Sequence, residues 1–516
     1  NDIHITNFFA GTEINSTDRS KNYYQGWGMQ YSMGEIPYYV YEFFKKGIED
    51  GNNYYSLSQT RSRSAAFFAN ATYSYKGRYT VNGTARYEGT NRMGKSRSAR
   101  WLPTWNVSGA WNAHEEKFFS NLTSVLSHFT LKASYSLTAD RGPADVTNSQ
   151  AIITSYSPYR PFTSIQESGL YIKELENSEL TYEKKHELNI GADMGFLNNR
   201  INLAVDWYKR NNYDLIGIVN TQGAGGQILK YANIASMKSH GIEFTLSTKN
   251  IKTKDFNWNT DFIFSNAKNE VTDLKQNANV MELISGNGFA KQGYPVRGLF
   301  SIPFVGLDKD GIPVIINEKG EATSTDINFQ ERQNTGFLKY EGPTDPTITG
   351  SLGNMFSYKG FRLNLFITYS FGNVIRLNPV FKAYYSDLTA MTREFKNRWT
   401  LPGDEAKTNV PAILSKRMYD SNEDLKYAYN AYNYSTERIA KGDFIRLKEI
   451  SLAYDFPKAW INPLKLTDLS LKVQATNLFL IYADDKLNGQ DPEFFNAGGV
   501  ASPVPRQFTI TLRLGL

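Results

Sequence analysis

The stretch Arg78-Tyr79-Thr80-Val81-Asn82-Gly83-Thr84-Ala85-Arg86-Tyr87-Glu88 decides the fold. Side chains of an extended chain alternate between two faces, so Tyr79, Val81, Gly83, Ala85 and Tyr87 share one side. Arg78, Thr80, Asn82, Thr84, Arg86 and Glu88 share the other, leaving one face apolar and one wet. The same alternation returns at Ile201, Leu203, Val205 and Trp207, at Ile242, Phe244 and Leu246, and at Phe256, Trp258, Phe262 and Phe264. It recurs at Phe361, Leu363, Leu365, Ile367, Tyr369 and Phe371, at Leu469, Leu471, Val473 and Ala475, and at Phe508, Ile510, Leu512, Leu514 and Leu516. Each run is about ten residues or more, longer than an ordinary soluble strand and matched to a tilted strand crossing hydrocarbon.

About 14 such segments are predicted, beginning near Ile3, Ser64, Arg78, Trp101, Ser127, Thr181, Ile201, Ser239, Asp255, Thr347, Phe361, Lys441, Asp468 and Arg506. Their connectors alternate in length. Short turns fall at Lys76-Gly77, Leu197 to Arg200, Asn250 to Lys254 and Lys359-Gly360, with moderate ones near His114 and from Pro457 to Leu466. Long loops are expected over 14–63, 138–180, 269–346, 372–440 and 482–505, with another long connector after Lys209. Long loops on one rim and short turns on the other characterise outer-membrane barrels, whose short turns are periplasmic. The expected fold is therefore all-β, a transmembrane antiparallel β-barrel with extracellular long loops and a periplasmic carboxyl terminus. A soluble sandwich would carry loops of about 70 and 80 residues awkwardly, and no repeat of about 40 to 50 residues suggests propeller blades. Trp101, Trp105, Trp111, Trp207 and Trp258 near strand ends suit interfacial girdles, although aromatics also fill any sheet's core.

Composition narrows the classes. The chain has 516 residues, 57 Lys and Arg against 51 Asp and Glu, no Cys, and 32 Phe, 33 Tyr and 8 Trp. A mean hydropathy of −0.47, with no apolar run near ~18 residues, excludes helical membrane spans. Without cysteine there is no disulfide scaffold and no Cys-ligated zinc or iron–sulfur site. A formal charge of +6 over this length implies no nucleic-acid partner. Asn1 is followed by no charged or apolar leader, so targeting is read from the body of the chain.

Several motifs in order then resemble a family. Tyr73-Ser74-Tyr75-Lys76-Gly77-Arg78-Tyr79, Arg92-Met93-Gly94-Lys95, Trp101-Leu102-Pro103-Thr104 and Glu115-Glu116-Lys117-Phe118 come first. Leu180-Thr181-Tyr182-Glu183-Lys184, Asp206-Trp207-Tyr208, Gly293-Tyr294-Pro295-Val296 and Thr347-Ile348-Thr349-Gly350-Ser351-Leu352 follow. Arg398-Trp399-Thr400 with Pro402-Gly403-Asp404, Asp443-Phe444-Ile445-Arg446-Leu447-Lys448, Gln474-Ala475-Thr476-Asn477-Leu478-Phe479 and Gly489-Gln490-Asp491-Pro492-Glu493 complete the series. Together they resemble the C-terminal barrel portion of SusC-like TonB-dependent transporters, the SusC/RagA family of Bacteroidota. The resemblance implies a plugged barrel of about 22 strands, import of oligomeric nutrients, a SusD-like surface lipoprotein, and energy from the TonB complex. It makes oligosaccharides the first expected cargo and oligopeptides the second. This chain supplies about 14 strands and no plug or TonB-contacting segment, so the remaining N-terminal part of the same barrel, as well as outer-membrane lipid, is an expected partner. It also departs from the family at its last residue, Leu516, where an aromatic is usual. The rival reading is a structural or adhesive barrel without active transport.

Candidate sites are weighed against blander roles. Gly89-Thr90-Asn91-Arg92-Met93-Gly94-Lys95-Ser96 fits the phosphate-loop pattern letter for letter, but that chemistry needs a buried parallel strand before it and a helix after it. Here alternating strands flank it, and a basic surface loop is expected. Asp308-Lys309-Asp310-Gly311 and the run from Asp484 to Asp491 could offer oxygens to a hard cation, yet neither has the helix-loop-helix spacing, and Asp-Gly pairs usually turn the chain. His4, His114, His128, His186 and His240 are scattered, and Glu115-Glu116 and Asp404-Glu405 are adjacent and would diverge in a strand. No metal, cofactor or catalytic residue is expected, and no enzyme activity. Substrate contacts are expected from loop aromatics that can stack on sugar rings or peptide side chains, namely Tyr384, Tyr385, Tyr427, Tyr429, Tyr432 and Tyr434. Their alternative role is packing within the loops.

Overall fold

The computed structural model describes residues 3–25, 29, 30, 32, 34, 36, 37, 40–142, 151–156, 167–221, 223, 229–385, 392–495 and 505–516. Fourteen strands form one sheet in chain order, and every pairing is antiparallel. They are β1 (His4–Tyr24), β2 (Tyr55–Tyr75), β3 (Tyr79–Thr90), β4 (Trp101–Asn112), β5 (Leu126–Asp140), β6 (Glu183–Phe196) and β7 (Ile201–Asn220). The series continues with β8 (Leu229–Lys252), β9 (Phe256–Leu274), β10 (Ile348–Tyr358), β11 (Phe361–Phe371), β12 (Phe444–Asp455), β13 (Asp468–Ala483) and β14 (Gln507–Gly515). This is a transmembrane-barrel sheet, an up-and-down wall in which each strand pairs with its sequence neighbours.

Turn chemistry fixes the short connections. Lys76 and Gly77 have φ of 53° and 67°, and Lys359 and Gly360 have 43° and 91°. Two successive positive φ values match the right-handed strand twist, which is why a Gly sits in each turn. Lys359-Gly360 closes a two-residue hairpin between Tyr358 and Phe361, and Lys76-Gly77 with Arg78 a three-residue one between Tyr75 and Tyr79. These turns, with 197–200 and 253–255, fall on one rim, and the long connectors fall on the other.

Register carries the alternation from strand to strand. Trp207 lies opposite Ile190 and Ile242, Phe264 opposite Phe244 and Gly350, Leu365 opposite Ile450, and Val473 opposite Leu452 and Ile510. Asn82 lies opposite Thr72 and Ser108, and Ser134 opposite Ser108 and Asn189. One face is thus apolar and the other polar from edge to edge, as a wall between oil and water requires.

Two loop boundaries differ from expectation. The loop expected over 14–63 is shorter, because β1 runs on to Tyr24 and β2 begins at Tyr55, pairing Ile14 with Ala65 through Tyr24 with Tyr55. Likewise β7 and β8 remain paired past Lys209, out to Asn220 and Leu229. The first extension carries polar residues on both faces, and the second runs apolar on both over Leu215–Val219, so neither shows the alternation that marks a strand with one wet face.

Among the described residues the sheet has no second layer, and the apolar core lies in the connectors. The 275–347 and 373–443 segments pack into one body. Phe300, Ile302 and Ile315 from the first share a buried cluster with Ala431 of the second, and Ile312 joins Phe381, Phe395, Leu425, Tyr429 and Tyr432. Backbone bonds stitch the halves, with Ile302 N donating to Tyr434 O at 3.0 Å and Thr436 N to Ile302 O at 3.0 Å.

Candidate functional site

The polar face begins with a neutral ladder across β2 and β3. Asn70 Nδ2 donates to Thr84 Oγ1 at 2.7 Å, Asn82 Nδ2 to Thr72 Oγ1 at 2.6 Å, and Thr80 Oγ1 to Ser74 Oγ at 3.0 Å. These bonds arise because period two places the amides and hydroxyls of neighbouring strands side by side.

Toward the long-loop rim the ladder becomes charged. Arg86 lies 2.9 Å from Glu13 and 2.6 Å from Glu88, and Glu88 is also paired with Arg141. The cluster opens onto a cleft of about 350 Å³ whose wall includes Thr84, Thr104, Asn106, Thr138 and Tyr182. A second cluster lies across β6 and β7, where Glu187 stands between Lys185 at 2.8 Å and Arg210 at 3.1 Å. The Arg210 guanidinium lies 3.9 Å from the centre of the Tyr208 ring. Lys132 and Asp193 add a pair at 2.7 Å. Charges of both signs, each held by a partner of opposite sign, give a surface that can exchange hydrogen bonds with a polar ligand without strongly favouring either sign. Sequence reading did not select these residues. The signal was available, since Arg86 and Glu88 occupy successive positions of the wet face in the deciding stretch.

The loop aromatics divide. Tyr385, Tyr429 and Tyr432 are gathered into the core of the connector body, which corrects the expectation that they are platforms for substrate. Tyr429 is only 1% exposed and donates its hydroxyl to Ala412 O at 2.6 Å. Tyr385 donates to Val380 O at 2.9 Å and accepts from Lys382 N at 2.7 Å. Burial pushes the Tyr385 hydroxyl up to about 12 and the other two upward as well. Tyr434 is half-buried, with the Arg376 guanidinium 5.8 Å from its ring centre. Tyr384 and Tyr427 are exposed, the first stacked on Tyr419 at 6.2 Å and the second beneath Lys426 at 5.3 Å.

Buried cations bind the loops together. Arg376 donates to Ser435 O at 2.9 Å, Phe300 O at 2.5 Å and Ser301 Oγ at 3.0 Å, tying the two long connectors. Arg446, on β12, grips both oxygens of Asp491 at 2.5 and 2.7 Å and so anchors the connector between β13 and β14. These two residues come from separate motifs of the family resemblance.

The remaining motifs are structural. Gly94 N donates to Leu180 O at 2.8 Å and Met93 is fully buried, so the segment resembling a phosphate loop is a wedge against 177–182. Asp308 Oδ1 accepts from Asp310 N and Ile312 N, both at 2.9 Å, making a turn. Gly311 completes it at φ 76°, where a Cβ would meet the Trp399 ring. Asp484 is engaged by Lys486 N at 2.9 Å and Lys441 N at 2.7 Å. His114 and His128 are in contact, with ring centres 4.1 Å apart, while the other histidines lie elsewhere on the wall. Among the described residues, no three His, Asp or Glu side chains gather as a metal site.

Asp404 supplies a pH-dependent element in this body. Its carboxylate accepts from Leu401 N at 3.0 Å, Thr400 N at 3.2 Å and Thr400 Oγ1 at 2.9 Å, and these bonds hold its pKa at about 2, below the ordinary 3.8. A depressed pKa contributes stability above the unfolded value that is lost as pH falls toward the folded one. Protection of the Thr400 and Leu401 amides is therefore expected to fall between pH 4 and pH 2. In Asp404→Asn it should change little over that window, which amide exchange on the intact protein checks.

Comparison with known proteins agrees with this architecture. Residues 2–478 match the family model described as TonB dependent receptor-like, beta-barrel. The chain is 26% identical over 515 residues to TonB-dependent receptor SusC of Bacteroides thetaiotaomicron, covering 92% of this chain and 47% of that protein. It is 26% identical over 577 residues to TonB-dependent receptor P39 of Formosa agariphila, covering 100% and 51%. It superposes on a chain of the RagAB peptide transporter with a TM-score of 0.76 at 21% identity, over 100% of this chain and 54% of that one. This last likeness is one of fold. The chain spans about half the length of the curated relatives it matches.

Proposed function

The chain belongs to the TonB dependent receptor-like β-barrel family, and from that premise we propose that it forms the larger part of an outer-membrane importer of oligomeric nutrients. The single observation that carries this reading is the polar face, continuous over the sheet and studded with paired charges of both signs. A wall bordering a water-filled passage has use for such a face opposite an apolar one. The edge strands β1 and β14 would be satisfied in lipid by further strands of the same protein, closing a barrel of about 22. TonB would act through a plug carried by that further part. A SusD-like lipoprotein would serve the long-loop rim at the cell surface, with the carboxyl terminus in the periplasm. Glycan fragments are the first cargo class and oligopeptides the second. Amides, hydroxyls and exposed tyrosines suit both, and RagAB is described as a peptide transporter.

Isothermal titration of the intact protein with defined oligosaccharides and peptides, lipoprotein present, tests this reading. Heat with one class is expected, and none with either would overturn it. Tyr384 and Tyr427 remain the aromatic platforms, and Tyr384→Ala with Tyr427→Ala is expected to weaken binding about 3- to 10-fold, the worth of one or two aromatic contacts.

A further inference from the structure

The apolar face ends abruptly on β7, β8 and β9. Ascending toward the long loops, Leu203, Val205 and Trp207 on β7 give way to Lys209, and Leu246, Phe244 and Ile242 on β8 give way to His240. On β9 the aromatic run ending at Phe264 gives way to Asn266 and Lys268. The register makes these changes coincide, since Lys209 lies opposite His240 and His240 lies opposite Lys268. One cross-strand row therefore places two lysines about 10 Å apart, two strand spacings, with an imidazole between them.

Lys209, His240 and Lys268 are all exposed. The two lysines form no ion pair among the described residues. Their neighbours do, for Lys238 is 3.0 Å from Glu270 and Lys184 is 2.6 Å from Asp214. Directly beneath the row stand the exposed apolar side chains of Trp207 and Ile242. On the other side of the sheet's midline the face differs. At the level of Lys209, β4 and β5 present Val107 and Tyr135, so the cationic row is local to β7–β9.

We propose that this row binds the phosphate of a phosphorylated lipid headgroup in the leaflet next to the long-loop rim. Lysine stems lie along acyl chains and project their ammonium groups to the headgroup level, where two of them can straddle one phosphate with charge-assisted bonds. Trp207 and Ile242 meanwhile pack the hydrocarbon of the same molecule. A peptide or soluble anion would use the charges but leave this apolar ledge uncovered, whereas an amphiphile satisfies both. The inference rests on the sheet crossing a bilayer and is independent of any cargo.

Native mass spectrometry of the intact detergent-solubilised protein tests it, with three probes: a bisphosphorylated acylated glucosamine disaccharide, the same lipid dephosphorylated, and inorganic phosphate. The phosphorylated lipid is expected to bind at least 10-fold more tightly than its dephosphorylated form. Lys209→Gln with Lys268→Gln should remove most of that preference, by about 5-fold for each lysine, whereas Lys254→Gln at the opposite rim should not. Retained heat-modifiability on gels shows that the double variant is still a barrel. Equal binding of the two lipids by the unaltered protein would overturn the proposal without recourse to any variant. Undiminished preference in the double variant would also overturn it, as would displacement of the lipid by inorganic phosphate at equal concentration.

Discussion

Asp491→Ala is expected to destabilise the connector between β13 and β14 by about 3–5 kcal/mol. Arg446 and Asp491 are 5% and 6% exposed and paired at 2.5 Å, so truncating the carboxylate strands a guanidinium that water cannot reach. Glu493, at 3.3 Å and partly exposed, recovers part of the loss and places the outcome toward the lower end of that range. The pair itself is worth much less than its breakage costs, because bringing two ions out of water offsets most of their attraction. Arg446→Met combined with Asp491→Leu should therefore lie within about 1–2 kcal/mol of the parent. Protease protection of residues 484–495 under increasing urea distinguishes the two variants. Equal protection of Asp491→Ala and parent would show that the pair anchors nothing.

Tyr429→Ala carries the second large effect. Its ring is buried where the two longest connectors meet, and its removal leaves a cavity and an unpaired Ala412 carbonyl. Large aromatic deletions cost about 3–5 kcal/mol and the stranded acceptor about 1–3 more. Tyr429→Phe keeps the packing and loses only the hydroxyl bond, for about 1 kcal/mol. Ile312 belongs to the same cluster, so the alanine variant should raise amide exchange in the first connector as well as the second. Exchange confined to 425–433 would mean that the two connectors do not share a core in solution.

The strands were legible where lipid writes them. Alternation at Tyr79 to Tyr87 or Phe361 to Phe371 exists because hydrocarbon meets one face and water the other. Above the membrane that contrast vanishes. Asn15, Ser16, Thr17, Asp18 and Arg19 are strand residues wetted on both sides, and they read as loop for that reason. The buried tyrosines were misjudged for a different cause. Leu425, Ala428, Tyr429 and Tyr432 follow i, i+3, i+4, i+7 along the helix Leu425–Asn433, a stripe that marks a packed helix face rather than a ligand platform. Tyr427, off that stripe, is exposed. The Arg446–Asp491 pair could not be read at all, since both residues were visible in separate motifs and only folding brings them together across 45 positions.

The common interior of the two longest connectors has a practical corollary for anyone wishing to retarget this molecule. Transplanting 275–347 alone from a relative would bring half a jigsaw against a foreign complement, exposing Ile302 and Phe304 to mismatched neighbours. The pair must be exchanged as a cassette, with Arg376 and its three acceptors travelling together, and chimeras built on that boundary are the ones expected to fold.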